Sequence, residues 1–152
     1  MPHHLLILLV AAFGLLTSLA SPVLAVAGDE AGSATQVPAY AEAKALVDAG
    51  NLVAALPVLL TLTTEDAGNA DAWNLLGYTH RNLGQIEESA AAYLKVLQIN
   101  PDHLGALEYQ GELFLQTGQP DLARVNLVRL KGLCGTCEEA EDLEQAITAA
   151  GA

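Results

Sequence analysis

Basic residues are scarce in this chain: six Lys and Arg stand against 18 Asp and Glu in 152 residues, a net charge of −12. Phosphate binding needs clustered Lys and Arg, so this balance argues against nucleic acid and disfavours anionic membrane surfaces. Aromatic residues are also few, at 5%, although hydrophobic residues reach 52%. A composition dominated by Ala and Leu suits closely packed helices and leaves little material for a β-sandwich. Cysteine occurs twice, at Cys134 and Cys137. Histidine is limited, beyond the first few residues, to His80 and His103, and neither stands at metal-ligand or triad spacing from a partner. No nucleophile elbow and no phosphate-cradling glycine loop between a strand and a helix is visible, so the sequence presents no catalytic machinery and calls for no cofactor or metal.

One long apolar run is present, from Leu5 to Ala20, followed by Ser21-Pro22 and small residues suited to signal-peptidase cleavage. Residues 1–27 read as an export signal, with the mature chain starting at Val26 or Gly28. The segment Met1-Pro2-His3-His4 contains no Lys or Arg, a departure from the usual pattern. The alternative is an uncleaved anchor facing the periplasm, since Leu5 to Ala27 approaches the ~20 apolar residues that span a bilayer. A periplasmic location is expected on the first reading and an inner-membrane anchor on the second. Residues 28–37 are small, polar and acidic without periodicity, and read as a flexible leader.

From Pro38 onward the pattern is helical, and Gly50, Gly84 and Gly118 recur every 34 residues. Each stands where a first helix would stop, a position that favours a left-handed backbone. Two amphipathic segments per 34 residues describe units that bury their apolar faces only against neighbours, which is the logic of a solenoid. Aligned on these glycines, the units are about 36–69, 70–103 and 104–137. Small residues at Ala43, Gly77 and Gly111, and at Ala55, Ser89 and Ala123, allow close helix approach. Trp73, Tyr93, Phe114, Leu59 and Leu127 fill the space between. Pro57 falls about one turn into a second helix, so that helix either starts late or kinks. A last amphipathic helix, 137–150, caps the stack, with Leu143, Ala146, Ile147 and Ala150 on one face. Its first turns carry Glu138, Glu139, Glu141 and Asp142, which favourably oppose the helix dipole.

The middle unit places Trp73, Leu76, Gly77, Ser89, Tyr93, Val96 and Pro101 at offsets that resemble the tetratricopeptide repeat family, with His80 where Tyr is usual. The third unit matches at Leu107, Gly111, Phe114, Ala123, Leu127 and Leu130; the first, which has Ala39 for Trp, is the weakest. The resemblance implies an all-α fold, an α-solenoid of three helix pairs within 38–150, and ligands on the concave surface of the first helices. Carried over by offset, that surface holds Tyr40, Lys44 and Asp48, then Asp71, Asn74, Tyr78, Arg81 and Asn82, then Glu108, Glu112 and Gln116 with Tyr109 adjacent. Tyrosine offers apolar contact and a hydrogen-bonding tip at little entropic cost. The Lys, Asn and Arg clamp by which some members hold C-terminal carboxylates is not reproduced. The expectation is a segment carrying positive charge opposite Glu108 and Glu112, with apolar contacts at Tyr78 and Tyr109.

The function this reading implies is a non-catalytic scaffold or adaptor of the bacterial cell envelope, binding a protein or peptide segment. Cys134 and Cys137 leave other readings open. In an oxidising compartment two cysteines point to a disulfide that pins the last helix; thiol exchange by a redox-active accessory factor, a zinc site or free thiols are the alternatives. A further alternative is self-association, because repeat ends expose apolar surface to copies of the chain.

Overall fold

The computed structural model describes residues 30–152, and these form seven helices: α1 Glu30–Asp48, α2 Leu52–Glu65, α3 Ala70–Asn82, α4 Ile86–Ile99, α5 Leu104–Gln116, α6 Pro120–Cys134 and α7 Glu138–Ala149. They pair as α1/α2, α3/α4 and α5/α6, and α7 packs on both α5 and α6. The first helices α1, α3 and α5 also touch one another in order, which makes them one wall of a stack of neighbours rather than a closed bundle. The fold is the all-α helical repeat expected from the sequence. The apolar run Leu5 to Ala20 and the cleavage region lie outside the described residues. Among those described, no helix is long and apolar enough to cross a membrane.

Glycine terminates each first helix as its period implied. Gly50, Gly84 and Gly118 have φ of 74°, 76° and 73°. At Gly84, its own N–H donates to the Arg81 carbonyl and the next N–H, of Gln85, donates back to His80, at 3.0 and 2.9 Å. This pair of bonds satisfies carbonyls that the helix end would leave orphaned. The helix starts are held by side chains where the sequence offers an acceptor. Asn69 Oδ1 accepts from Ala72 N–H at 2.9 Å, and His103 Nδ1 accepts from Ala106 N–H at 3.1 Å. Because that nitrogen accepts, the ring proton sits on Nε2, which donates to Asp71 Oδ1 at 3.0 Å and ties the start of α5 to the start of α3.

Two local expectations are corrected. Residues 30–37, read as a leader without periodicity, belong to α1, which runs through Pro38. Apolar periodicity reports a buried face and not helix formation itself; Glu30, Ala31, Ala34 and Gln36 extend a formed helix at little cost, and Gly32, Ser33, Thr35 and Val37 cost at most about 1 kcal/mol each. Of the two readings for Pro57, a late start is excluded, since α2 begins at Leu52 and Pro57 is its sixth residue. The carbonyl that Pro57 leaves without a donor is that of Val53, on the exposed side of the helix, where water can serve it.

The core is a row of small clusters in register with the repeats. Ala43, Val47, Ala55, Leu59, Leu62, Ala72 and Leu76 join α1, α2 and α3; Tyr93, Val96, Ala106 and Leu113 join α4 to α5. Leu107, Ala123, Leu127, Leu130, Ala140, Leu143 and Ile147 close the far end beneath α7. Trp73 packs against both of the first two clusters, and its Nε1–H donates to the Ala67 carbonyl at 3.2 Å. On α7, Leu143 and Ile147 are buried with Ala140, whereas Ala150 is the exposed C-cap.

Glycine also sets two helix separations. A β-carbon on Gly77 would lie 2.6 Å from Tyr93 Cε1, and one on Gly111 would lie 2.6 Å from the Leu143 methyls. Gly77 therefore brings α3 against α4, and Ser89 Oγ donates across the contact to the Gly77 carbonyl at 2.9 Å. Gly111 receives the cap α7 instead of the second helix of its own unit.

Candidate functional site

The concave wall carries a cleft of about 320 Å³ lined by Tyr40, Lys44, Val47, Asp48, Asn74, Leu75, Tyr78 and Tyr109. Three successive first helices supply it, α1 with Tyr40 and Lys44, α3 with Asn74 and Tyr78, and α5 with Tyr109. A first helix contributes one residue per turn to this wall, so the 34-residue repeat stacks side chains from distant parts of the chain side by side. Tyr78 and Tyr109 lie with ring centroids 5.2 Å apart and planes tilted by 55°, and Tyr109 continues to Tyr93 at 6.5 Å. Edge-tilted pairs of this kind hold each other's orientation without closing off both faces.

Arg81 organises the wall beyond the tyrosines. Its guanidinium lies 5.7 Å from the Tyr78 ring centre and 5.9 Å from that of Tyr109, and it forms a half-buried ion pair with Glu112. The pair joins α3 to α5, so it locks adjacent units together and occupies the Glu112 carboxylate. Lys44 is similarly engaged with Asp48 at 2.7 Å, one turn away on α1 and exposed to solvent.

Glu108 is set apart. It is only 7% exposed and its carboxyl is pushed up to about 8, chiefly by burial and then by the negative charges of Glu112, Asp142 and Glu139, with Arg81 opposing. Burial, followed by Glu108, also pushes the Tyr109 hydroxyl up to about 12. A carboxyl of this kind holds its proton near neutrality, so it does not present a standing negative charge to a ligand.

Of the residues expected on this surface, Tyr40, Lys44, Asn74, Tyr78 and Tyr109 line one cleft. Arg81 and Glu112 stand beside it as a bonded pair. Asn82 and Gln116 are exposed near the ends of α3 and α5, outside the cleft lining, and Asn82 Nδ2 donates to the Tyr78 carbonyl at 2.8 Å. The expected open pair of acids is not what the fold presents, because one is engaged by Arg81 and the other is buried beside α7. Asn74, one of the lining residues, has its Oδ1 buried without a hydrogen-bond partner. Asp48, placed on this surface with Lys44 by offset, lines the cleft, whereas Val47 and Leu75, which also line it, were not among the expected residues.

Cys134 and Cys137 are placed as a bonded pair with Cα atoms 5.6 Å apart, Cys134 ending α6 and Cys137 at the N-cap of α7. Among the described residues no strand precedes them. Among the described residues, no group of three His, Cys, Asp or Glu is arranged to hold a metal ion. His80 is 8% exposed and its Nδ1 lies 2.6 Å from Gln85 Oε1, and His103 is the α5 cap; both act within the fold.

A family model described as tetratricopeptide repeat matches residues 40–103 and 80–129. No curated protein matches the chain. Among solved structures, the chain is similar to the Yersinia enterocolitica type III secretion chaperone SycD in complex with a peptide of the translocator YopD, at 20% identity and TM-score 0.69 over 80% of this chain and 93% of the other. It is also similar to PcrH in complex with the chaperone binding region of PopD, at 20% identity and TM-score 0.69 over 78% and 92%. The first repeat domain of Spaghetti (RPAP3), bound to the HSP90 peptide SRMEEVD, aligns at 13% identity and TM-score 0.68 over 77% and 94%.

Proposed function

The chain belongs to the tetratricopeptide repeat family, and on that premise we propose that it is a non-catalytic binding module that receives a protein segment in the cleft between α1, α3 and α5. The observation that carries this reading is the convergence of Tyr40, Tyr78 and Tyr109 from three repeat units on one open cleft, with Asn74, whose Oδ1 is buried and unpartnered, also in its lining. A tyrosine-lined surface gains from apolar contact, and an unsatisfied carboxamide oxygen gains from any donor the ligand brings. The peptide complexes of SycD, PcrH and RPAP3 support the class of ligand and say nothing of its identity.

The chemistry of the ligand differs from a simple cationic segment. With Glu112 held by Arg81 and Glu108 holding its proton near neutrality, recognition rests on the tyrosines and Asn74, and charge enters through Lys44 and Asp48 at the rim. The module acts in the cell envelope after export through residues 1–27. There the Cys134–Cys137 pair is a staple that joins α6 to the cap α7, in keeping with an oxidising compartment.

The test is affinity recovery from the envelope fraction with the tagged protein, run beside a Tyr78→Ala/Tyr109→Ala variant, with identification of both eluates by mass spectrometry. Loss of two interface tyrosines is expected to weaken a bound partner at least tenfold, by analogy with aromatic anchors elsewhere. A partner set that is the same for both proteins sinks the cleft reading.

A further inference from the structure

The outer face of α6 is unlike the rest of this acidic surface. Three of the six basic residues of the chain, Arg124, Arg129 and Lys131, lie on this one helix against a single acid, Asp121. The same helix exposes Leu122, Val125, Val128 and Leu133, with Val125 at 55% and Val128 at 72%. α6 packs only on α5 and α7, through Ala123, Asn126, Leu127 and Leu130, so no other described element covers this outer face.

The face has a specific order. Asp121, Leu122, Val125, Val128 and Arg129 are spaced by one, four, seven and eight residues, which on a helix of 3.6 residues per turn places them on one stripe centred on Val125. The stripe reads acid, apolar, apolar, apolar, base. Turned end for end about Val125 it matches itself: Val125 meets Val125 of a copy, Leu122 meets Val128, and Asp121 meets Arg129 at both ends. Asp121 is 94% exposed and bound only to the neighbouring Arg124, and Arg129 donates to the Pro101 carbonyl at 2.6 Å and has no carboxylate partner among the described residues. Two such helices crossing antiparallel therefore gain two ion pairs and bury both apolar stripes. Two copies meeting elsewhere would bring net-acidic surfaces together.

We propose that the α6 outer face is a self-complementary docking surface for a second copy of this chain, forming an isologous pair through antiparallel α6 helices. The pair leaves the cleft on the opposite wall free in both copies, so the assembly presents two binding clefts at once. One helix face buries less than the ~800 Å² per partner of a standard stable interface, so association is concentration-dependent, with Kd on the order of 100 µM.

Sedimentation equilibrium of the full chain as processed by the cell, from about 10 µM to 1 mM, tests this with three exposed-site variants. Wild type is expected to shift from monomer to dimer across that range, and Val125→Glu, which sets two carboxylates against each other at the axis, is expected to stay monomeric. Asp121→Arg, which sets Arg against Arg129, is expected to weaken the dimer more than tenfold, and the charge swap Asp121→Arg/Arg129→Asp to restore it. A helical circular-dichroism spectrum equal to wild type confirms that each variant is folded. A monomer at every concentration, a dimer indifferent to the substitutions, or a charge swap that fails to restore association overturns the proposal. Flotation with phosphatidylglycerol vesicles that depends on Val125, without self-association, overturns it in favour of a membrane. Because no cleft residue is involved, Tyr78→Ala/Tyr109→Ala leaves the dimer unchanged whether or not the cleft reading stands.

Discussion

Gly77→Ala is expected to cost about 2 kcal/mol of stability, while Gly132→Ala is expected to add about 0.5–1 kcal/mol. The chemical change is the same and both positions are helical, so propensity alone favours alanine at each. At Gly77 the new carbon would lie 2.6 and 2.8 Å from the ring of Tyr93, closer than real contacts allow. Tyr93 is fully buried and cannot swing away, because Gly77, Ser89, Val96 and Tyr109 surround the space it fills. The helices α3 and α4 must then separate, which also lengthens the Ser89 bond to the Gly77 carbonyl. Gly132 faces open space within 4 Å, so alanine there removes only the entropy that glycine would lose on folding. Urea midpoints of the two variants at low protein concentration, with unchanged m-values, give both numbers. Equal shifts for the pair would mean that the α3–α4 separation is not set by Gly77.

Glu108→Gln is expected to raise stability at pH 8 and to flatten the dependence of stability on pH between about 4.5 and 8. The folded-state carboxyl is raised to about 8, above its ordinary value of 4.5, by burial first and by Glu112, Asp142 and Glu139 next. The folded protein therefore binds more protons than the unfolded chain within that window. Stability from this group is fully present below the unfolded pKa and is lost as pH rises through the folded one. Partial solvent access and screening reduce the effect to on the order of 1–2 kcal/mol. Glutamine keeps the shape and holds no charge, so the variant should match wild type near pH 4.5 and exceed it at pH 8. Chemical denaturation at the two pH values measures the difference. A wild-type slope that Glu108→Gln leaves untouched would assign the loss to the other acids of α5 and α7.

What the sequence made legible follows from what repeats. The 34-residue spacing of Gly50, Gly84 and Gly118 located three helix ends, because a left-handed residue after a helix needs glycine at each. The middle unit was clear because Trp73, Gly77, Ser89 and Tyr93 stand at the family offsets, and in the fold Gly77 meets both Tyr93 and Ser89. Polar bonds between units were not legible. Arg81 and Glu112 sit 31 residues apart, at the offset of a shared face, but nothing in the offsets says that the two would pair rather than face a ligand. Asn126, whose Nδ2 donates to the Leu107 carbonyl and to Gln110 Oε1 at 3.0 Å each, replaces at the third unit the role Ser89 plays at the second, with no signal beyond a polar residue on an apolar stripe. Glu108 was expected on the concave wall by offset, but it is buried outside the cleft lining with Asp142 and Glu139 of α7 nearby, and the seating of α7 on α5 depends on Gly111 meeting Leu143. The N-terminal part of α1 was missed because helix formation there leaves no apolar period to read.

The central claim is that a partner sits in the cleft shared by three first helices, and photo-crosslinking in the expressing cell tests it most directly. A benzophenone side chain at Tyr40, inside the cleft, is compared with one at Gln98, exposed on α4 away from it. The account expects a discrete adduct from position 40 that Tyr109→Ala abolishes and no adduct of the same mass from position 98. The same adduct from both positions, or from position 98 alone, would contradict it.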